Sequence, residues 1–315
     1  MNAKKLLAQR SYYGKALAKL AETNPDVVVV DADLAGSTKT SDFRKVCQSR
    51  FVEVGIAEQN MIGVSAGLAA SGKTVFASTF AVFASGRCWE QIRLALAYPK
   101  LNVKVVSTHC GISVGADGAS HQALEDMSIM RSLPNMVVIS PADAYETYAA
   151  TLAIADYKGP VYMRLGRADV PVLFDEDVKF EIGKAKVLRK GTDVSLIGTG
   201  QMVYLCMEAA EALEQEGISA EVIDMSTIKP LDNQAILDSV SKTGCVVTAE
   251  EHSVIGGLGS AVAEFLSENC PAPITRIGTR DTFGESGEPD ELFKKYGLTS
   301  EDIREAAKRS ISMKE

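Results

Sequence analysis

The sequence has no C-x-x-C pair, no apolar run approaching 18 residues, no basic stripe and only three histidines. Each lack excludes something. Cys47, Cys88, Cys110, Cys206, Cys245 and Cys270 are scattered singly. That pattern reads as reduced core thiols of a cytosolic protein, not as a disulfide frame. Without a long apolar run, no segment is expected to span a membrane. The stretch Met1–Arg10 has neither the apolar core nor the cleavage-like site of a signal peptide, so a cytoplasmic location is expected. A net charge of −8 with no Lys/Arg cluster argues against nucleic acid as a partner. Any phosphate bound here must be met by a few placed cations.

What is present suits two domains. The 315 residues are 46% hydrophobic, enough for two cores. Four consecutive valines, Val27–Val30, follow the turn Asn24-Pro25-Asp26 and read as a strand buried on both faces. Similar runs lie at 74–77, 103–107, 136–139 and 161–165, with helical patterns between them at 12–23, 57–70, 83–97 and 142–156. This alternation predicts a mostly parallel sheet with helices on both faces. After Pro171 and the acidic 175–177 stretch a second βα series begins. It has a short strand near 183–188, then strands at 194–197, 220–223, 245–249 and 274–277. The fold class is therefore α/β, with domains expected at 1–180 and 190–315.

Three segments carry candidate chemistry. Glu58 opens an almost wholly apolar or small helix containing Met61, Ile62, Val64 and Leu68. It reads either as a helix-dipole carboxylate or as an acid in a dry site. Phe80 and Phe83 stand three apart and read as core packing or as one wall of a pocket. His109 and His121 share a glycine-rich loop with Asp117, after the 103–107 strand. The C-terminal ends of such strands are where α/β sheets place ligands. No Cys or acidic set completes a metal site there, so no metal is expected on this chain. Arg10, Asp33, Ser37 and Arg167 also fall near strand ends or helix starts, although an isolated arginine is most often a solvated surface group. Gly198-Thr199-Gly200 lacks the third glycine of a dinucleotide loop and reads as a turn with close helix packing.

Taken together, these segments resemble the transketolase superfamily of thiamin-diphosphate enzymes. Gly55-Ile56-Ala57-Glu58-Gln59-Asn60-Met61 fits the family's G-I-x-E-x-x-M segment. The resemblance implies that Glu58 contacts the thiamin pyrimidine and promotes the tautomer that generates the ylid. It places Phe80 and Phe83 along that pyrimidine, but Gly86 stands where a third ring is usual. The 108–122 loop is similar to T-H-D-S-I-x-x-G-x-D-G-x-x-H-Q, with Cys110 in place of the aspartate. By that match His121 and Asp117 meet the donor's carbonyl and hydroxyls, and His109 lies nearer its phosphate. Arg10, Ser37 and Arg167 match the phosphate-holding positions, and Asp33 an aspartate facing cofactor or subunit interface. Glu250-Glu251-His252 and Gly256-Gly257-Leu258-Gly259 resemble a structural segment of the family's C-terminal domain.

The resemblance covers only a pyrimidine-type domain followed by a smaller C-terminal domain. The family's G-D-G…N motif, which holds the metal and the diphosphate, is absent from this sequence. The implied protein is one subunit of a split transketolase that shares thiamin diphosphate with an N-terminal-half chain. That partner binds Mg²⁺ or Ca²⁺, most simply in an α₂β₂ assembly. The implied reaction moves a two-carbon ketol unit between sugar phosphates, as in the pentose phosphate pathway. Alternatives are the β subunit of a 2-oxo-acid dehydrogenase-type decarboxylase, a 1-deoxyxylulose-5-phosphate-synthase-like enzyme, and a non-catalytic structural or regulatory paralogue.

Overall fold

The computed structural model describes residues 5–314. Strand β1 (Leu6–Ala8) precedes helix Gln9–Thr23. Then follow β2 (Val27–Asp31), β3 (Phe51–Glu53), β4 (Thr74–Phe80), β5 (Val103–Thr108), β6 (Val137–Ile139) and β7 (Val161–Arg164). Strand β8 (Asp169–Pro171) pairs antiparallel with β1. The second series is β9 (Lys186–Arg189), β10 (Val194–Gly198), β11 (Ala220–Asp224), β12 (Thr227–Lys229), β13 (Val246–Ser253) and β14 (Ile274–Thr279).

Two α/β sheets form. The first has the order β12-β6-β7-β5-β4-β2-β3, and the second β14-β13-β10-β11-β9. All pairs of the first sheet are parallel except β12–β6. In the second sheet only β9 runs antiparallel. Every residue of β2, β4, β5 and β7 is buried, as strands covered on both faces must be. Helices Gln9–Thr23 and Ala144–Asp156 pack together, and helix Glu58–Ala70 packs on β4. One apolar cluster continues from Val30, Val75 and Met127 into Ile197, Ile223 and Leu258, so the two sheets share a core layer.

Two expectations change in detail. The helix expected over 83–97 is broken into wide i→i+5 turns at Phe83–Arg87 and Ile92–Ala97, joined by Trp89–Gln91. The strand expected from 183 begins at Lys186, because Gly183 adopts φ +80° beside Pro230. Strand β12 was not expected at all. It crosses from the second series to the edge of the first sheet, where Thr227 pairs with Ile139.

The seam between the two series is polar at its centre. Arg164, at the end of β7, is 2% exposed. Its Nε donates to Asp126 Oδ2 at 2.8 Å, and its guanidinium donates to the Glu251 carbonyl at 3.2 Å. Burial works against the Arg164 charge, but Asp126, Cys110, Tyr162 and Glu251 together outweigh it and raise its proton affinity. The Tyr162 hydroxyl donates to the same carboxylate at 2.8 Å. Glu251 in turn accepts from the Ser113 amide at 2.6 Å and from Gln201 at 2.5 Å, tying the second series to the histidine loop. Gly111 has no room for a side chain, since a Cβ there would lie 2.2 Å from the Glu251 carboxylate.

Removing one partner of a buried pair leaves the other charge uncompensated. Arg164→Met is therefore expected to cost about 3–5 kcal/mol of unfolding free energy, measured by urea titration. Adding Asp126→Leu should recover part of that loss. A cost below about 1 kcal/mol, the range of a surface pair, would contradict the seam's importance.

Candidate functional site

The register of the first sheet assembles the site. Strands β7, β5, β4 and β2 are consecutive neighbours and all parallel. Their C-terminal ends therefore lie side by side on one edge. Arg167 follows β7, His109 follows β5, Phe80 ends β4, and Asp33 and Ser37 follow β2. Glu58 opens the helix that follows β3, next to β2. Residues far apart in sequence thus meet at the edge where α/β sheets commonly bind ligands.

The acid end is dry. Glu58 is 3% exposed although it sits in a helix first turn, where carboxylates normally face water. Its Oε1 accepts from Arg87 Nη1 at 2.6 Å, and among the described residues its Oε2 accepts nothing. Phe80 and Phe83 stack with centroids 5.9 Å apart, and His121 stands edge-on to Phe83 at 5.4 Å. Phe80 is 8% exposed and already carries His109 on its ring at 3.8 Å. Phe83 is half-buried and keeps accessible ring surface. A Cβ at Gly86 would meet nothing within 4 Å, so the position expected to hold a third ring is open space. The wide turn brings the next residue into play instead. The Arg87 guanidinium lies 4.6 Å from the Phe83 centroid.

The other end is cationic. Burial, first, and then Arg10, Arg167 and His121 push His109 down to about 3, so it is a neutral imidazole at physiological pH. Burial and Arg167 also lower the proton affinity of Arg10, which Asp169 partly offsets. These effects on Arg10 and His109 place them in one field with Arg167 and His121. Arg10 Nη1 donates to the Ser37 carbonyl at 3.1 Å and Arg167 Nη1 to the Val114 carbonyl at 2.7 Å. Arg10 Nε is buried with no partner among the described residues. An anion would satisfy it. Thr108 Oγ1 lies 2.8 Å from His109 Nδ1, and Ser120 Oγ 3.0 Å from His121 Nδ1.

Two expected residues are less engaged. The Asp33 and Asp117 side chains are exposed and make no hydrogen bond among the described residues. Asp33 takes φ +63°, and its backbone amide donates to Glu53 at 2.7 Å. The glycine-rich helix start after Glu250 holds no spare anion site. Glu250 itself accepts from the Leu258 and Gly259 amides at 2.7 and 2.8 Å. Gly198 packs as expected of a tight turn, since a Cβ there would lie 2.9 Å from Val203 Cα. Sequence reasoning did not anticipate Arg87, whereas Glu251 lies in the segment read as structural and braces the histidine loop. The Arg87–Glu58 contact has no local signal, because the two residues are 29 apart in sequence.

The donor set fits a heteroaromatic ring with a basic nitrogen: a buried acid with one free oxygen stands beside an accessible aromatic face. His109 should stay neutral from pH 9 down to pH 5, so its imidazole NMR signals are expected not to titrate over that range. Arg10→Ala should raise its pKa by removing a repulsive charge. A His109 titration midpoint near the free-imidazole value of about 6.5 would contradict the packing.

Residues 5–172 match the family model "Transketolase, pyrimidine binding domain", and residues 183–303 match "Transketolase, C-terminal domain". The 6-deoxy-6-sulfo-D-fructose transketolase subunit of Clostridium sp. (strain MSTE9) is 47% identical over 95% of this chain and 92% of its own. An apulose-4-phosphate transketolase subunit of Phocaeicola vulgatus is 42% identical over 97% of this chain and 98% of its own. A solved split-gene transketolase, an inactive β4 tetramer, is 53% identical with a TM-score of 0.93, covering 98% of this chain and 100% of that one. With both domain models matched in order and subunit-length relatives aligned end to end, this chain belongs to the thiamin-diphosphate-dependent transketolase family, as the C-terminal section of a split transketolase.

Proposed function

We propose that this chain is the subunit of a two-chain transketolase that carries the proton-handling acid and most of the grip on the donor sugar. The reaction moves a two-carbon ketol unit from an anionic ketose to an aldose phosphate. The observation that carries this reading is the shared strand edge. It brings a buried acid and an accessible ring within one site, next to two arginines and a neutral histidine.

When bound, thiamin diphosphate supplies a nucleophilic thiazolium carbon and an electron sink. This chain's residues do the rest of the work at their end. Glu58 holds a proton against a ring nitrogen of the pyrimidine. Phe83 and Phe80 form its apolar wall, and Asp33 faces the cofactor or the subunit interface. His121 donates to the donor oxygen that gains charge. Asp117 accepts from a neighbouring hydroxyl and so selects its configuration. His109, Arg10, Ser37 and Arg167 take the anionic end, with Arg10 and Arg167 supplying charge-assisted bonds.

The diphosphate and its Mg²⁺ or Ca²⁺ belong, on this reading, to an N-terminal-half partner in an α₂β₂ assembly. Uncovered surface supports such a partner. Gly63 and Gly67 of helix Glu58–Ala70 are exposed, and Ile56, Leu94 and Tyr98 are 79%, 51% and 81% exposed. The domain division at 1–180 and 190–315 and a cytoplasmic setting complete the proposal. Among the described residues no helix is long and apolar enough to cross a membrane.

The test mixes this chain with its partner, thiamin diphosphate and Mg²⁺. The donors are xylulose 5-phosphate, 6-deoxy-6-sulfofructose and apulose 4-phosphate, and the acceptors are aldose phosphates. Turnover of at least one donor is expected. Glu58→Gln should lower kcat about 10²–10⁴-fold. Arg10→Ala or Arg167→Ala should raise KM for the anionic donor about tenfold or more while changing kcat less. Cofactor bound without any ketol transfer, or full activity in Glu58→Gln, would defeat the reading.

A further inference from the structure

One ion pair in the site has no part in the chemistry proposed above. Arg87 Nη1 lies 2.6 Å from Glu58 Oε1, and the guanidinium covers the Phe83 ring. The pair is lopsided, because the Glu58 side chain is 4% exposed and that of Arg87 is 48% exposed. A buried carboxylate without a counter-charge is costly. Among the described residues Glu58 has no other hydrogen-bond or ion-pair partner. Arg87 is therefore the counter-charge that faces the Glu58 carboxylate among the described residues.

The same contact obstructs a ligand. It occupies Oε1, and it lies on Phe83, the ring that keeps accessible surface. A heteroaromatic ring can bond the free Oε2 of Glu58, but to lie along Phe83 it needs the ring face that the guanidinium covers. The Arg87 side chain has somewhere to go. The backbone is pinned, since Gln59 Nε2 donates to the Arg87 carbonyl at 3.1 Å. The adjoining Gly86 leaves open space where a side chain would stand.

We propose that Arg87 is a displaceable placeholder for the cofactor pyrimidine. In the chain without cofactor it holds Glu58 and Phe83, and it swings off both before the ring reaches the acid. It is a positioning residue acting through Glu58, and the inference rests on the reading that Glu58 meets a thiamin ring. The cost to binding follows from the population. Apparent affinity falls in proportion to the fraction of molecules in which Glu58 is uncovered.

The experiment uses the assembled complex with wild-type chain, Arg87→Ala, Arg87→Lys, Glu58→Gln and the Glu58→Gln/Arg87→Ala pair. Calorimetry gives the Kd for thiamin diphosphate, and stopped-flow fluorescence gives its association rate. The melting temperature of this chain alone is measured alongside. Arg87→Ala is expected to speed association and tighten Kd about tenfold, and to lower the melting temperature of the chain alone. Arg87→Lys, which keeps the charge, should retain slow association. With Glu58→Gln in place, Arg87→Ala should change rate and Kd less than it does in the wild-type chain. If the wild-type complex binds thiamin diphosphate and Arg87→Ala binds it equally or more weakly, the placeholder is overturned. Weaker binding would make the guanidinium a permanent wall. If the wild-type complex binds no thiamin diphosphate, the functional reading falls and takes the placeholder with it.

Discussion

A parallel ladder sends all its carboxyl ends to one edge, and Arg167, His109, Phe80, Asp33 and Ser37 all lie at or after that edge. Strands β7, β5, β4 and β2 are hydrogen-bonded neighbours in register, with Ser107 opposite Arg164, Phe80 opposite Thr108 and Asp31 opposite Ser78. Because each strand is buried on both faces, a shift of register would cost apolar burial as well as ladder bonds. The loops inherit that precision. Arg167, His109, Phe83 and Ser37 are placed by strands they do not belong to.

The charge distribution on that edge is uneven. At one end a single buried acid is capped by a single arginine. At the other, burial and Arg167 lower the proton affinity of Arg10, burial and both arginines lower that of His109, and one guanidinium nitrogen lies buried without a partner among the described residues. A cluster of like charges held by a rigid sheet is under-compensated until an anion arrives. The second sheet contributes support rather than ligands. Glu251 braces the histidine loop through Ser113, and Arg164 joins the two series at the seam.

Much of the fold was legible in the sequence because its signals are local. The valine run at 27–30 announces a strand buried on both faces, and the small, apolar helix after Glu58 one that buries Met61, Ile62 and Ala69 while leaving Gly63 and Gly67 exposed. Two departures from the sequence pattern have non-local causes. Strand β12 forms because the edge of β6 is available to it, which no pattern in 227–229 can state. The 83–97 helix breaks into wide turns, and three-residue spacing from Phe83 then points to an empty position while Arg87 reaches the ring. The last helix, Ser300–Ser312, was overlooked although Thr299 and Asp302 form a capping box at its start.

The sequence by itself determined the class of fold, the order of the elements and the loops that carry the polar residues. Periodicity, glycine placement and motif spacing are properties of neighbouring residues. Tertiary structure alone decided which atoms pair. Glu58 is capped by Arg87, and Phe80 is sheathed by His109 while Phe83 keeps accessible surface. His109 is neutral because it is buried and because two arginines from opposite ends of the domain stand near it. Those outcomes depend on distance and desolvation across long separations, quantities that exist only once the sheet has brought its edges together.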